Sequence, residues 1–375
     1  MDVIRFYSNL AKYIEPNKAL IIYGPRQAGK TTLLEGFLKN CGLKYKLVSG
    51  DSIKTQHLLS SQDIDTLKEY VAGYELLAID EAQNIPNIGI NLKILVDHVP
   101  NIKIIATGSS SFELAGQVGE PLTGRKTTLT LYPVAQLELL NLYNKHESKE
   151  KISDWLIFGS YPEIVAAQNK DQKIKLLEET VYSYLLKDIL ELDKIKNSKK
   201  LLDLLRLLAF QMGNEVSLNE LGRKIGLDRK TIERYLDLLE KAFVIYNLRG
   251  FSRNLRKEVT KKSKYYFYDN GIRNAVISNF NDIRQRNDVG ALWENFIFME
   301  RCKKRSYHGI YANIYFWRTW EGQEIDLIEE REGNLFAYEF KWGDKKIKPP
   351  RQWTETYSDS TFSVINQENY LEFIT

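Results

Sequence analysis

Apolar residues near the start of the chain arrive in short unbroken runs. Lys18 to Tyr23 (KALIIY) ends at Gly24, and Leu76 to Ile79 and Ile102 to Ala106 repeat the pattern. Runs of this length, bounded by glycine or acidic residues, predict buried strands. Helical periodicity, beginning with Thr31 to about Lys39, lies between them. Strands alternating with helices predict a parallel, doubly wound sheet. From about Ser148 to Leu208 the pattern is helical throughout. Val216 to Leu239 reads as two short helices around a tight turn, followed by a basic stretch from Arg249 to Lys264. From Tyr265 onward, aromatic-rich strand patterns surround one helix near Trp293. The expected organisation is an α/β core over residues 1–145, a helical lid over 146–208, a winged-helix segment over 209–264 and an α+β tail over 265–375.

Length agrees with this division, because at ~150 residues per domain a chain of 375 residues holds two or three. A hydrophobic fraction of 43% with 27% charged residues permits sizeable cores and argues against long disorder. The net charge of +4 neither demands nor excludes nucleic acid, so the distribution of charge carries more information than its sum. No run approaches the ~18 apolar residues of a membrane helix. The opening Met1-Asp2-Val3-Ile4-Arg5 lacks the basic-then-apolar pattern of a secretory leader. Cys41 and Cys302 stand alone, which implies neither a disulfide framework nor a cysteine metal site. A cytoplasmic protein without membrane association is expected.

Chemistry enters at Gly24-Pro25-Arg26-Gln27-Ala28-Gly29-Lys30-Thr31-Thr32, which fits G-x-x-x-x-G-K-[ST] between a predicted strand and a predicted helix. In such a loop the main-chain N–H groups surround phosphate oxygens. Lys30 supplies charge to the β- and γ-phosphates, Thr31 offers a hydroxyl to Mg²⁺, and the helix contributes its positive end. The strand Leu76 to Ile79 runs into Asp80-Glu81, two carboxylates at the edge where the loop lies. Asp80 is expected to hold Mg²⁺ and Glu81 to polarise the attacking water. The next strand ends in Thr107-Gly108-Ser109-Ser110. There a hydroxyl either holds the lytic water or senses the γ-phosphate, or the residues form a plain turn. Arg125, after Gly124, is the first choice for an arginine that neutralises developing charge, in cis or from a neighbouring subunit of a homo-oligomer. Arg26 is the second choice, and a solvated surface arginine is the alternative for both.

These motifs, with Ile79-Asp-Glu-Ala-Gln83, Leu122-Thr-Gly-Arg125 and Gly159-Ser-Tyr-Pro-Glu163, resemble the AAA-type P-loop ATPases that carry a C-terminal DUF4143 region. The resemblance spans nearly the whole chain. It implies an ATP-binding fold and site, with ATP and Mg²⁺ as ligands, and says little about purpose.

Ser217-Leu-Asn-Glu220 is a capping-box pattern, Gly226 makes a turn and Asp228 can cap a second helix, the spacing of a helix-turn-helix. Arg229, Lys230 and Arg234 fall at the exposed start of that helix. Arg253, Arg256 and Lys257 lie in the basic stretch, which reads as a wing. This clustering is the footprint of a binder of double-stranded DNA. The alternative is a structural bridge with a solvated hairpin.

In the tail, Asp326 sits on one predicted strand, and Glu339 and Lys341 alternate to one face of the next. Two carboxylates and a lysine so placed can converge on a divalent metal, with Glu294 from the preceding helix adding an oxygen. The pattern resembles the PD-(D/E)XK nuclease core, so the fold class expected at the end of the chain is a restriction-endonuclease-like α+β domain. Two functions follow. One is an ATPase acting on DNA, with metal-dependent cleavage. The other is an ATP-switched regulatory or interaction module whose tail binds nucleic acid or protein without catalysis.

Overall fold

The computed structural model describes residues 3–109, 122–185, 198–251, 263–344 and 347–375. The early apolar runs form β1 (Ala19–Tyr23), β3 (Leu76–Asp80) and β4 (Lys103–Gly108), joined by β2 (Tyr45–Ser49) and β5 (Lys126–Thr130). All pair in parallel in the order β2-β3-β4-β1-β5. β2 has no continuous apolar run, and Tyr45 and Leu47 are exposed on this edge strand, which is why the hydrophobic pattern does not announce it.

Alternate residues of the central strands feed two cores. Ile21, Tyr23, Ile79 and Ile104 pack against helices Ile64–Val71 and Ile88–His98. Leu20, Ile22, Ala78 and Ile105 pack against Leu33, Leu34 and Leu38 of α1 (Lys30–Leu38), against Tyr7 and Leu10, and against Tyr307 from far along the chain. Both faces are therefore covered, as a parallel sheet requires.

Most of the remainder shares a core whose members run from Val134 to Ile374, and a smaller one gathers Phe251, Trp317, Ile325, Ile328 and Trp353. Helices Ile152–Phe158 and Pro162–Ala166 lead into Lys170–Glu179, which ends in a π-helical turn at Thr180–Leu185. After helix Ser198–Phe210, two helices, Leu218–Ile225 and Arg229–Lys241, stand beside an antiparallel sheet of β6 (Glu215–Val216), β8 (Ser263–Phe267) and β7 (Ile245–Arg249). β8 crosses the boundary expected at residue 264 and pairs with both β6 and β7. Helix Val289–His308 then packs on a sheet ordered β12-β11-β10-β9, with strands β9 (Asn313–Arg318), β10 (Glu324–Arg331), β11 (Asn334–Phe340) and β12 (Thr361–Ile365). A buried fork pins that helix to β10, with Arg301 Nε and Nη2 donating to the two Glu329 oxygens at 2.8 and 2.9 Å.

The Gly159-Ser160-Tyr161-Pro162 motif is a joint between these layers. Ser160 N–H donates to Asp269 Oδ2 at 2.8 Å, and Pro162 opens the next helix. Gly159 has φ +71°, and a Cβ there would lie 1.9 Å from Asp269 Oδ1. Only glycine meets both conditions. Gly159→Ala is expected to lower stability by roughly 2–4 kcal/mol, read as a fall in C_m in urea unfolding. A change under about 0.5 kcal/mol would remove this joint from the account of the fold.

Candidate functional site

The loop Gly24–Gly29 leaves the carboxyl end of β1 and enters α1, with Gln27 at φ 62° and Gly29 at φ 92°. These left-handed residues curl the main chain back over itself. Lys30 is only 5% exposed, and its Nζ donates to the carbonyls of Gly24 and Pro25, each at 2.9 Å. Its ammonium is held inside the ring of the loop. Thr31 and Thr32 are exposed at the start of α1, as is Arg26 on the loop. The loop also touches the helical segment, because Thr180 Oγ1 donates to Gln27 Oε1 at 2.8 Å.

The parallel register brings the ends of β3 and β4 beside this loop, with Tyr23 opposite Gly108 and Ile79 opposite Ala106. Asp80 is shared: Thr31 Oγ1 donates to Oδ2 at 2.9 Å, and Thr107 Oγ1 donates to Oδ1. The Thr107 oxygen in turn accepts the Glu81 N–H at 3.3 Å. The Thr107 hydroxyl thus contacts both members of the acid pair. Glu81 adopts φ 50°, uncommon for a residue with a side chain, and its Oε2 accepts from Gln83 Nε2. Gly50 makes that conformation possible. Its N–H donates to the Asp80 carbonyl at 2.8 Å, and a Cβ would collide with the Glu81 carbonyl at 2.1 Å. Gln83 lies within the Ile79-Asp-Glu-Ala-Gln83 motif, so its position was legible even though its contact was not.

Arg125 does not join this cluster. Its carbonyl accepts the Ala19 N–H, and Ala19 pairs with Lys126 at the amino end of β1. The loop leaves from the other end, roughly 13 Å away at 3.3 Å per residue. Arg125 Nε instead donates to Asp97 Oδ1 at 2.5 Å. An in-cis role for Arg125 at the loop is therefore corrected, and only a neighbouring copy would bring it there.

In the helix-turn-helix unit the expected side-chain N-caps form at Ser217 and Asp228. Ser217 accepts from Glu220 N–H, Asp228 accepts from Thr231 N–H, and Gly226 is left-handed at φ 70°. Arg229, Lys230 and Arg234 lie on the exposed face of the second helix, where Arg229 Nε donates to Glu233 Oε1 at 2.8 Å. Arg253, Arg256 and Lys257 lie outside the described residues. Lys264, the last residue of the basic stretch, is 0% exposed and faces the tail rather than a duplex.

The tail brings Asp326, Glu339, Lys341 and Glu294 into one neighbourhood but not into a metal-binding group. The β10–β9 pairing shifts between Ile325 and Ile328, and at this bulge Asp326 Oδ2 accepts the Phe340 N–H at 2.8 Å. Lys341 Nζ pairs with Glu339 Oε1 at 2.6 Å. Glu294 Oε1 accepts from Tyr266 Oη at 2.7 Å and lies 3.7 Å from Lys264 Nζ, which also pairs with Glu324. Burial opposes charge on Lys264, but the facing Glu294, Asp326 and Glu324 outweigh it and raise its pKa. Among the described residues, no group of three His, Cys, Asp or Glu side chains is placed to hold a metal ion. The expected metal set Asp326, Glu339 and Glu294 is thus not gathered as a group of three, although Glu339 Oε2 is buried without a hydrogen-bond partner. Lys264 and Tyr266 come from β8, and nothing in their local sequence marks them as partners of this cluster.

Three family profiles match the chain: "AAA domain" over residues 16–140, "Domain of unknown function (DUF8612)" over 149–283, and "Domain of unknown function (DUF4143)" over 289–370. Among curated relatives, the uncharacterized protein Rv2008c of Mycobacterium tuberculosis is 25% identical over 89% of this chain and 72% of its own length. The uncharacterized protein MJ1544 of Methanocaldococcus jannaschii is 24% identical over 96% and 87%. Among solved structures, the Thermotoga maritima RuvB Holliday junction branch migration motor is 17% identical, covering 61% of this chain and 81% of its own, with a TM-score of 0.27. That superposition is too slight to bear on function. No helix among the described residues is long and apolar enough to cross a membrane.

Burial, reinforced by the charge of Asp326, pushes Glu339 up to about 7 and Glu294 up to about 8. Carboxyls that hold protons more tightly in the fold than in the unfolded chain make stability fall as pH rises. The fall opens near the ordinary Glu value of about 4.3 and closes near 8. The thermal midpoint is expected to drop between about pH 5 and about pH 8.5, and Glu294→Gln to remove part of that drop. Parallel midpoint curves for parent and variant would show that Glu294 does not hold its proton in the fold.

Proposed function

We propose that this chain, which belongs with the AAA-type ATPases carrying a DUF4143 region, binds ATP with Mg²⁺ at the loop between β1 and α1, hydrolyses it, and couples the cycle to DNA. The observation that carries the reading is the Asp80 carboxylate, bracketed by the Thr31 and Thr107 hydroxyls beside the Lys30 ammonium. Thr31 and Asp80 are hard oxygen donors side by side, a set that fits Mg²⁺. When bound, the ion neutralises phosphate charge. Lys30 neutralises the same charge from within the loop, and the loop N–H groups orient the phosphate chain. Thr107 fixes which way Asp80 points. Glu81, once released from Gln83, accepts the proton of the attacking water.

Lys30→Ala should abolish nucleotide binding, because the main counter-charge is lost. Glu81→Gln should retain binding and lose turnover by about 10²-fold or more. Both are read by fluorescent-nucleotide titration and phosphate release. Parental turnover in Glu81→Gln would remove Glu81 from the proposed chemistry.

Duplex DNA is assigned to the exposed face of helix Arg229–Lys241, through Arg229, Lys230 and Arg234. A triple alanine variant at these three positions should weaken salt-sensitive DNA binding at least about tenfold while ATP affinity stays at the parental level. Equal DNA affinity would move the contact surface elsewhere. Among the described residues the tail carboxylates form no group of three placed for a divalent cation. Their pairing with Lys264 and Lys341 favours the second reading for this region, in which the tail grips nucleic acid or protein without catalysis.

A further inference from the structure

The phosphate loop is held from outside by a buried residue that its motif does not contain. Arg5 is 9% exposed, and three of its nitrogens are committed. Nη1 donates to the Ala28 carbonyl at 2.5 Å, Nη2 to the Tyr132 carbonyl at 2.6 Å, and Nε to Glu138 Oε1 at 3.0 Å. Glu138 is itself 1% exposed and also accepts the Phe6 N–H at 2.7 Å and the Ala135 N–H at 2.8 Å. The ion pair is thus closed on both sides, so neither charge is left bare in the interior.

We propose that Arg5 is a positioning residue for the ATP site, acting through the Ala28–Gly29 peptide; the inference rests on the ATP-binding reading given above. In a trans peptide the C=O and N–H point in opposite directions. Arg5 draws the Ala28 carbonyl to the back of the loop, so the Gly29 N–H is turned the other way. A phosphate oxygen can use an N–H there, whereas a carbonyl facing it would repel it. Gly29, left-handed at φ 92°, has the freedom to take either orientation of this peptide, so an external hold is needed to select one. The approach is close: a Cβ on Gly29 would stand 3.4 Å from Arg5 Nη1.

The same anchor ties the loop to the rest of the molecule. The Tyr132 N–H meets Tyr307 Oη at 3.4 Å, and Phe6 stacks on the Tyr307 ring at 4.8 Å between centroids. Two residues before Glu138, the Gln136 N–H donates to Glu300 Oε2 at 2.7 Å. Tyr307 and Glu300 both lie on the helix Val289–His308. The loop peptide is therefore selected by a side chain seated between the nucleotide core and the tail.

The test compares Arg5→Lys, Arg5→Gln and Phe6→Ala with the parent and with Lys30→Ala, measuring fluorescent-ATP affinity, KM, kcat and thermal midpoint. Lysine keeps the charge but cannot serve all three acceptors. Loss of a charge-assisted hydrogen bond made equally in ground and transition states raises KM and leaves kcat within about twofold. Affinity is expected to fall about tenfold or more in Arg5→Gln and by less in Arg5→Lys. Phe6→Ala, which loosens the same segment without touching Ala28, should lower the midpoint and leave affinity at the parental value. Parental affinity and KM in a folded Arg5→Lys or Arg5→Gln, with Lys30→Ala inactive, would overturn the proposal while leaving the ATP reading intact. So would an affinity loss in Phe6→Ala equal to that in Arg5→Lys, which is the deciding comparison if Arg5→Gln does not fold. A parent protein that binds no ATP would instead remove the reading beneath it.

Discussion

A carboxylate shared by two hydroxyls organises the nucleotide core. Asp80 takes Thr31 from the start of α1 on one oxygen and Thr107 from the end of β4 on the other. It can do so because β4 lies between β3 and β1, so that three chain segments reach the same edge of the sheet at the same height. Open parallel sheets place their ligands at such carboxyl edges, where loops rather than strands compete for space. The left-handed Glu81, the glycine at 50 that backs it and the buried Lys30 are all arranged around this point. Backbone strain of the kind seen at Glu81 persists only where the surroundings determine it several times over.

Buried charge explains how the rest of the chain is held to that core. Arg5 with Glu138, Lys303 with Glu300, Arg301 with Glu329 and Lys264 with Glu324 are ion pairs in which at least one partner is nearly inaccessible. An unpaired charge in such places would cost several kcal/mol, so each pair demands that its two segments meet. The partners lie far apart in the chain in three of these cases. This makes them devices of tertiary register, and it agrees with a hydrophobic core whose members run from Val134 to Ile374 across the expected unit boundaries.

The tail gathers the residues of its motif around two lysines. Glu339 and Lys341 do share a face, and Asp326 does reach the same neighbourhood, as alternation along β11 requires. Asp326 accepts a main-chain N–H and Glu339 meets the Lys341 ammonium through one oxygen, its other being buried without a partner, while Lys264 enters from the adjoining sheet to meet Glu294 and Glu324. The elevated proton affinity of Glu294 and Glu339 is a product of this crowding: burial disfavours their charge, and Asp326 adds repulsion that the two lysines only partly offset.

What the chain itself determined is whatever depends on neighbours within a few residues. The loop and its flanking strand and helix, the acid pair at the end of β3, the caps at Ser217 and Asp228 and the turn at Gly226 are all local in this sense. They follow from conformational freedom, periodicity and side-chain reach over one turn of chain. The tertiary structure decided what depends on distant partners. It carried Arg125 to the wrong end of its sheet for the loop, withdrew Lys264 from the basic face into the tail, and set Arg5 behind Ala28. None of these placements leaves a trace in adjacent residues. A long charged side chain reads the same in sequence whether it is solvated or buried, and only the packing that removes it from water settles which partner it must find.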